Sequence, residues 1–284
     1  MKYGLFGINS GFCSTPETIK SVSIAAETAG FESLWTAEHV VLPDPQVPPS
    51  PAPPLTPMLH PSTALSYIAG FTSTIRLGTG ITLLAQRNAV VLAKEMASLD
   101  LLSGGRLILG IGAGYLKAEF DALGVRFTER GARSDEYIDA MRELWTSEHP
   151  EFSGKFVKFS AIQSRPRPAQ SGGPEIVVGG LSDAAYRRAV TKANGWYGFA
   201  LDFDNTTAAI EGLKRAADRN ERPGELGELE ISITPPVPLT TESLKQYESL
   251  GVSRLILLQR GQTEADLLLF VEQAANTFIH QAHG

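Results

Sequence analysis

Glu38-His39, directly after the short apolar run 33–36, is the residue pair most suited to moving a proton. An imidazole at a strand end acts as general acid or base near neutral pH, and the preceding carboxylate orients it or accepts a hydrogen bond from a ligand. The bland reading of His39 is a structural histidine bonded to a nearby loop. His60, His149, His280 and His283 are isolated, no H-E-x-x-H pair occurs, and Cys13 is the one cysteine. That pattern argues against a zinc centre.

Three glycine groups could bring backbone close to a ligand. In Leu77-Gly78-Thr79-Gly80-Ile81-Thr82-Leu83, two glycines inside a strand signal a bulge or a close approach. Gly110-Ile111-Gly112-Ala113-Gly114-Tyr115 is not a dinucleotide fingerprint, because its third glycine comes one position early and no acidic residue ends the next strand. It reads either as a tight turn or as backbone lying flat beneath a planar ring, with Tyr115 beside it. Val178-Gly179-Gly180-Leu181-Ser182 stands just before a helix, where free N–H groups can hold a phosphate. Neither a G-x-S-x-G elbow nor a P-loop lysine is present. The set fits a cofactor-assisted oxidoreductase better than a hydrolase.

These residues need elements to hold them. Strands read at 3–8, 33–36, 76–84, 106–112, 175–178, 195–199, 229–233 and 254–258. Helices read from 16, then at 62–71, 89–101, 117–123, 130–146, 182–193, 206–219 and 240–250, with a last one from about 263. Ser14 and Glu17 are spaced as a capping box, Gly30 sits where a helix would end, and Asn88 is placed to cap. Tyr137, Met141, Leu144 and Trp145 share one helical stripe, as do Leu268, Val271, Ala275, Phe278 and Ala282. Eight strand–helix units predict one α/β domain over 1–284, a (β/α)8 TIM barrel with its site at the carboxyl ends of the strands. Two insertions interrupt it. Residues 43–61, after the second strand, hold nine of the 18 prolines and read as a spacer, a lid or a substrate wall. Residues 147–174, before the fifth, read as a small hairpin and a proline-rich return. Substrate choice is expected to rest on these two segments and on the loops after strands six to eight.

With 43% hydrophobic and 20% charged residues the chain can bury a core. A net charge of −6 argues against a nucleic-acid surface. One cysteine fits a reducing compartment, and no apolar run approaches a membrane span or a secretory leader. A soluble cytoplasmic protein that works on a small molecule is expected.

Several segments in order resemble the bacterial-luciferase-like family, and within it the coenzyme F420-dependent oxidoreductases. They are Ala29-Gly30-Phe31-Glu32-Ser33-Leu34-Trp35-Thr36-Ala37-Glu38-His39, Leu77-Gly78-Thr79-Gly80-Ile81, Val91-Leu92-Ala93-Lys94-Glu95 and Leu102-Ser103-Gly104-Gly105-Arg106-Leu107. Gly110 to Tyr115, Arg130-Gly131-Ala132-Arg133, Val177-Val178-Gly179-Gly180 and Gly195-Trp196 continue the match. The resemblance implies a homodimer with F420, or alternatively flavin mononucleotide (FMN), in the barrel mouth. It places the ring on a bulge with a non-prolyl cis peptide at Gly80-Ile81. It gives the cofactor phosphate to Gly179, Gly180 and Ser182, and the ring or its side chain to Glu38, Ala113 and Gly114. It makes His39 the acid–base residue for hydride exchange with a small organic substrate. Sugar-phosphate dehydrogenases of the family carry glutamate where this chain has Tyr115, which argues against that substrate, and Asn194 stands where aspartate is usual. The alternatives are an FMN-dependent monooxygenase using oxygen, and a relative that binds cofactor without turnover.

Overall fold

The computed structural model describes residues 1–280. Eight parallel strands form its centre: β1 (Lys2–Phe6), β2 (Ser33–Thr36), β3 (Arg76–Thr79), β4 (Leu107–Gly112), β5 (Glu175–Gly179), β6 (Gly195–Phe199), β7 (Glu230–Thr234) and β8 (Arg254–Leu258). Each pairs with its neighbours in chain order, and Lys2 opposite Arg254 closes β1 onto β8. The expected barrel is present. Around it lie α1 (Pro16–Thr28), α2 (Pro61–Ala69), α3 (Ala89–Leu102), α4 (Lys117–Ala122), α5 (Arg130–Thr146), α6 (Asp183–Lys192), α7 (Phe203–Arg219), α8 (Thr241–Ser249) and α9 (Glu264–Ala274).

Strand residues alternate between two faces, and the two faces have different jobs. Leu5, Leu34, Leu77, Leu109, Val178, Ile233 and Leu255 point outward into the helix layer. Inward residues fill the barrel in tiers. At the amino ends, Arg254 forms a two-pronged pair with Glu32, both bonds 2.9 Å, and also meets Glu230. Trp35, Ile108, Val177, Tyr197 and Ile256 pack above it, and Phe6 with Ile81 and Leu258 forms the top. The interior is a packed core, so only the carboxyl-end mouth is open to chemistry.

Helix ends follow the sequence except at α1 and at α7, which begins at Phe203 under an Asp202 cap rather than at 206. Asn88 caps α3 by accepting from the N–H groups of Val90 and Val91, and Gly30 leaves α1 at φ 85°. The α1 cap is Thr15, which accepts from Thr18, rather than Ser14. Ser14 lies in a preceding 3-10 turn and donates to the Gly11 carbonyl. After α9 the chain continues as a π-helical turn, Ala275–Ile279. Ala282 and His283 lie outside the described residues.

The insertion at 147–174 is a hairpin, Phe152–Ser153 against Lys158–Phe159. The Glu136 carboxylate on α5 accepts from the N–H groups of Lys155, Phe156 and Val157. Gln170 bonds Asp100 and the carbonyl of Leu107, at the amino end of β4. The segment therefore packs along the outside of α5, with Phe156 beneath Arg133 in its first turns, and returns to the foot of β4 at Gln170. Asn194, the departure from the usual aspartate, accepts from Ile176 N–H at 3.0 Å and joins β5 to the start of β6. Among the described residues no helix is long and apolar enough to cross a membrane.

The main irregularity is in the third strand. It halts at Thr79, turns through a cis Gly80–Ile81 peptide and resumes at Thr82–Leu83. The bulge pushes into β4, and two glycines there make room. A Cβ on Gly110 would lie 1.8 Å from the Thr79 carbonyl oxygen, and one on Gly112 would lie 1.8 Å from the Ile81 side chain. Gly110→Ala is expected to give insoluble protein or a cost above about 3 kcal/mol, because backbone cannot yield as a side chain can. A Cβ on Gly131 in α5 would meet nothing within 4 Å. Gly131→Ala is expected to be neutral or stabilising by about 0.5 kcal/mol. Urea melts of the two variants provide the comparison.

Candidate active site

The mouth is organised from Asn9, a fully buried side chain that sequence reasoning missed. Its amide accepts from Ala37 N–H at 2.8 Å and donates to the Ala37 and Leu59 carbonyls at 2.9 and 2.6 Å. One side chain thus fixes the turn after β2 and the return of the proline-rich segment. His39 N–H points at Met58 Sδ at 3.0 Å. The return leg of residues 43–61 is therefore a wall beside His39, while its tips, Val47 and Leu55, are exposed.

Glu38 and His39 diverge from this turn. The expected contact between them is absent: Glu38 reaches across to the bulge, where it accepts Leu83 N–H at 2.5 Å and pairs with Arg87. Burial pushes its carboxyl up, against the pull of the Arg87 charge and the Leu83 bond. Arg87 also lies 2.9 Å from His60 Nε2, and His60 Nδ1 lies 3.0 Å from Ser62. The carboxylate that holds His39 is instead Glu119, from α4. Its Oε2 lies 3.1 Å from His39 Nδ1, and its Oε1 accepts Val40 N–H at 2.7 Å. The other imidazole nitrogen, Nε2, lies 3.4 Å from the Tyr115 hydroxyl. Neither Glu119 nor Arg87 was legible from spacing, because each approaches from a segment distant in sequence.

The glycine-rich end of β4 positions this carboxylate. Gly110 and Gly112 serve the bulge, and Gly114, at φ 83°, is the turn. A Cβ there would be 2.9 Å from the Phe120 ring. The close approach lets α4 fold inward with Phe120 buried and Glu119 under His39. The motif is thus a turn at its end and clearance for β3 before it. Ala113 is half-buried and Tyr115 exposed on the rim.

Ile81 forms the floor, half-buried and touching the would-be Cβ positions of Gly112 and Gly179. Beyond it, Gly180 takes φ 124° and Ser182 caps α6 by accepting from Ala185 N–H. The first N–H groups of α6 have no carbonyl of their own helix to bond, as at any helix start. Phe6 and Phe199 close the opposite side, with ring centroids 4.9 Å apart. The predicted residues Gly80, Ile81, Ala113, Gly114, Tyr115, Gly179, Gly180 and Ser182 all lie at the carboxyl ends of β3, β4 and β5. Among the described residues there is no cluster able to hold a metal.

A sequence model of the luciferase-like monooxygenases matches residues 9–252, and the chain belongs to that family of oxidoreductases. A relative from Mycobacterium tuberculosis, an uncharacterized protein, is 30% identical over 97% of this chain and 98% of its own. The FMNH2-dependent dimethylsulfone monooxygenase of Pseudomonas putida is 36% identical over 44% of this chain and 34% of its own. An F420-dependent secondary alcohol dehydrogenase, solved with an F420–acetone adduct, superposes with TM-score 0.78. It is 14% identical and covers 98% of each chain, a likeness of fold.

Removing Arg87 would leave Glu38 buried and unpaired. Arg87→Met is expected to cost about 3 kcal/mol at pH 7. A carboxyl pushed up in the folded state is penalised above its usual range, so the loss grows as pH rises through and beyond that range. It closes below about pH 4, where Glu38 is protonated folded and unfolded alike. Denaturant unfolding of wild type and variant from pH 4 to 8 measures this, and a pH-independent difference would contradict the assignment.

Proposed function

We propose that this protein is an F420-dependent oxidoreductase acting on a small organic substrate, with proton exchange at His39. The observation that carries the reading is an imidazole held by a buried carboxylate on the same mouth as a glycine-turned helix start and an apolar floor. Kinship within the family and the fold shared with an F420-dependent alcohol dehydrogenase support it.

The residues fit such a cofactor. Gly180 is in the left-handed region and has 3.1 Å between its would-be Cβ and Ala185, so the turn stays bare beside α6. Gly179, Gly180 and Ser182 would hold the phosphate there. Ile81 would carry the ring, with Ala113 and Gly114 at its border. When bound, the deazaflavin supplies the carbon that gives or takes hydride. The chain's own part is to hold the substrate carbon in register, exclude water with Phe6 and Phe199, and handle the proton that accompanies hydride transfer.

The second reading, an FMN-dependent monooxygenase, is favoured by the identity to the Pseudomonas putida enzyme. Fluorescence titration of the purified protein with F420 and with FMN separates the two. Binding of F420 and not FMN is expected, and the reverse preference would overturn the reading. His39→Ala is expected to keep F420 affinity within about threefold and lose about 100-fold or more in turnover. Undiminished turnover would remove His39 from the chemistry.

A further inference from the structure

We propose that Tyr115, rather than His39, touches the substrate oxygen, and that Glu119, His39 and Tyr115 form a three-membered proton relay along the mouth. The proposal rests on the reading of the mouth as a hydride-transfer site and adds which atom meets the substrate.

Both ring nitrogens of His39 already face a partner. Nδ1 is taken by Glu119 at 3.1 Å and Nε2 by the Tyr115 hydroxyl at 3.4 Å. The His39 side chain is 9% exposed, whereas Tyr115 is 48% exposed. An imidazole with both nitrogens engaged and almost no open surface cannot be the group a substrate meets first. The phenol beside it can.

The chemistry of the three groups sets the direction of the bonds. Glu119 accepts Val40 N–H through Oε1 and faces the Gln86 amide nitrogen through Oε2, as an ionised carboxylate does. Its partner Nδ1 must therefore carry the hydrogen, which leaves a lone pair on Nε2. Tyr115 donates its O–H to that lone pair. The phenol oxygen then keeps its own lone pairs free to accept from a substrate hydroxyl. Burial, with the Glu119 charge nearby, pushes the Tyr115 phenol up, so it keeps its proton at neutral pH.

In the oxidising direction the substrate O–H proton passes to the Tyr115 oxygen as the phenol proton passes to His39 Nε2. The imidazolium so formed is balanced by Glu119. The hydride leaving the substrate carbon with both electrons of its C–H bond would be accepted by the bound cofactor, which supplies the redox chemistry. Reduction runs the same transfers backward, with the phenol proton delivered to the new alkoxide. Glu119 and His39 are positioning and relay residues, and Tyr115 is the catalytic one.

The test begins with 15N-histidine NMR of the protein without cofactor. His39 is expected to be the Nδ1–H tautomer. Glu119→Gln should shift it toward Nε2–H, and Tyr115→Phe should move the Nε2 resonance while the melting temperature holds. Tyr115→Leu, which offers no hydrogen-bond donor, serves as the second variant. An Nε2–H tautomer in the wild type, or an Nε2 resonance indifferent to both Tyr115 variants, overturns the relay. The second arm uses the F420-loaded enzyme with isopropanol and cyclohexanol. Tyr115→Phe should leave F420 affinity unchanged and lower kcat about 100-fold. The Tyr115→Phe/His39→Asn double variant should be no slower than the slower single, because groups in one relay are not additive. Multiplying losses, or full kcat in Tyr115→Phe, would show His39 working without Tyr115. Failure to bind F420 would sink the functional reading alone, while the NMR arm still decides the relay.

Discussion

The mouth takes its shape from the interruption of β3 between Thr79 and Thr82. In a regular strand Ile81 would share the outward face of Leu77 and point to the helices. The bulge instead sets Ile81 on the floor and turns Leu83 N–H toward Glu38. Gly80 N–H bonds the Thr36 carbonyl, and the Thr79 hydroxyl donates to Gly110, so the irregular segment is tied to both neighbouring strands. It demands Gly110 and Gly112 in return. The glycines of β4 are thus the shape of the bulge written on the adjacent strand.

Two buried carboxylates share the rim and do different work. Glu38 is paired with Arg87 and braces the bulge, so its charge is committed to structure. Glu119 is turned to the His39 imidazole, whose other nitrogen faces the Tyr115 hydroxyl. Environment, not residue type, separates the two roles. Asn9 supports both by fixing the turn from which Glu38 and His39 depart, and by tying down the proline-rich wall beside them.

The mouth is lined on one side by Phe6 and Phe199 and floored by Ile81 and Leu258. Glu38 and Arg87 neutralise each other, and the lower ion pairs around Arg254 lie beneath the Trp35 tier. The interior charges are thus spent on one another, and the mouth keeps apolar walls beside its polar groups.

Local signals along the chain were enough to establish the barrel and its rim. Short apolar runs, caps such as Asn88 and glycine punctuation act over a few residues, and they placed His39, Ile81, Gly114, Tyr115, Gly180 and Ser182 at strand ends. The bulge was legible because glycines are costly inside a strand unless the backbone needs them. Who faces whom was settled only when the elements packed. Glu38 sits next to His39 in the chain yet turns away, since adjacent residues leaving a strand point to opposite sides. Glu119 stands 80 residues from His39 and reaches it because Gly114 lets α4 fold inward over Phe120. Likewise the 147–174 insertion packs against the outside of α5, because the Glu136 carboxylate accepts three of its N–H groups. Hydrogen bonds between distant segments leave no mark on local spacing, and they exist only once the barrel has closed.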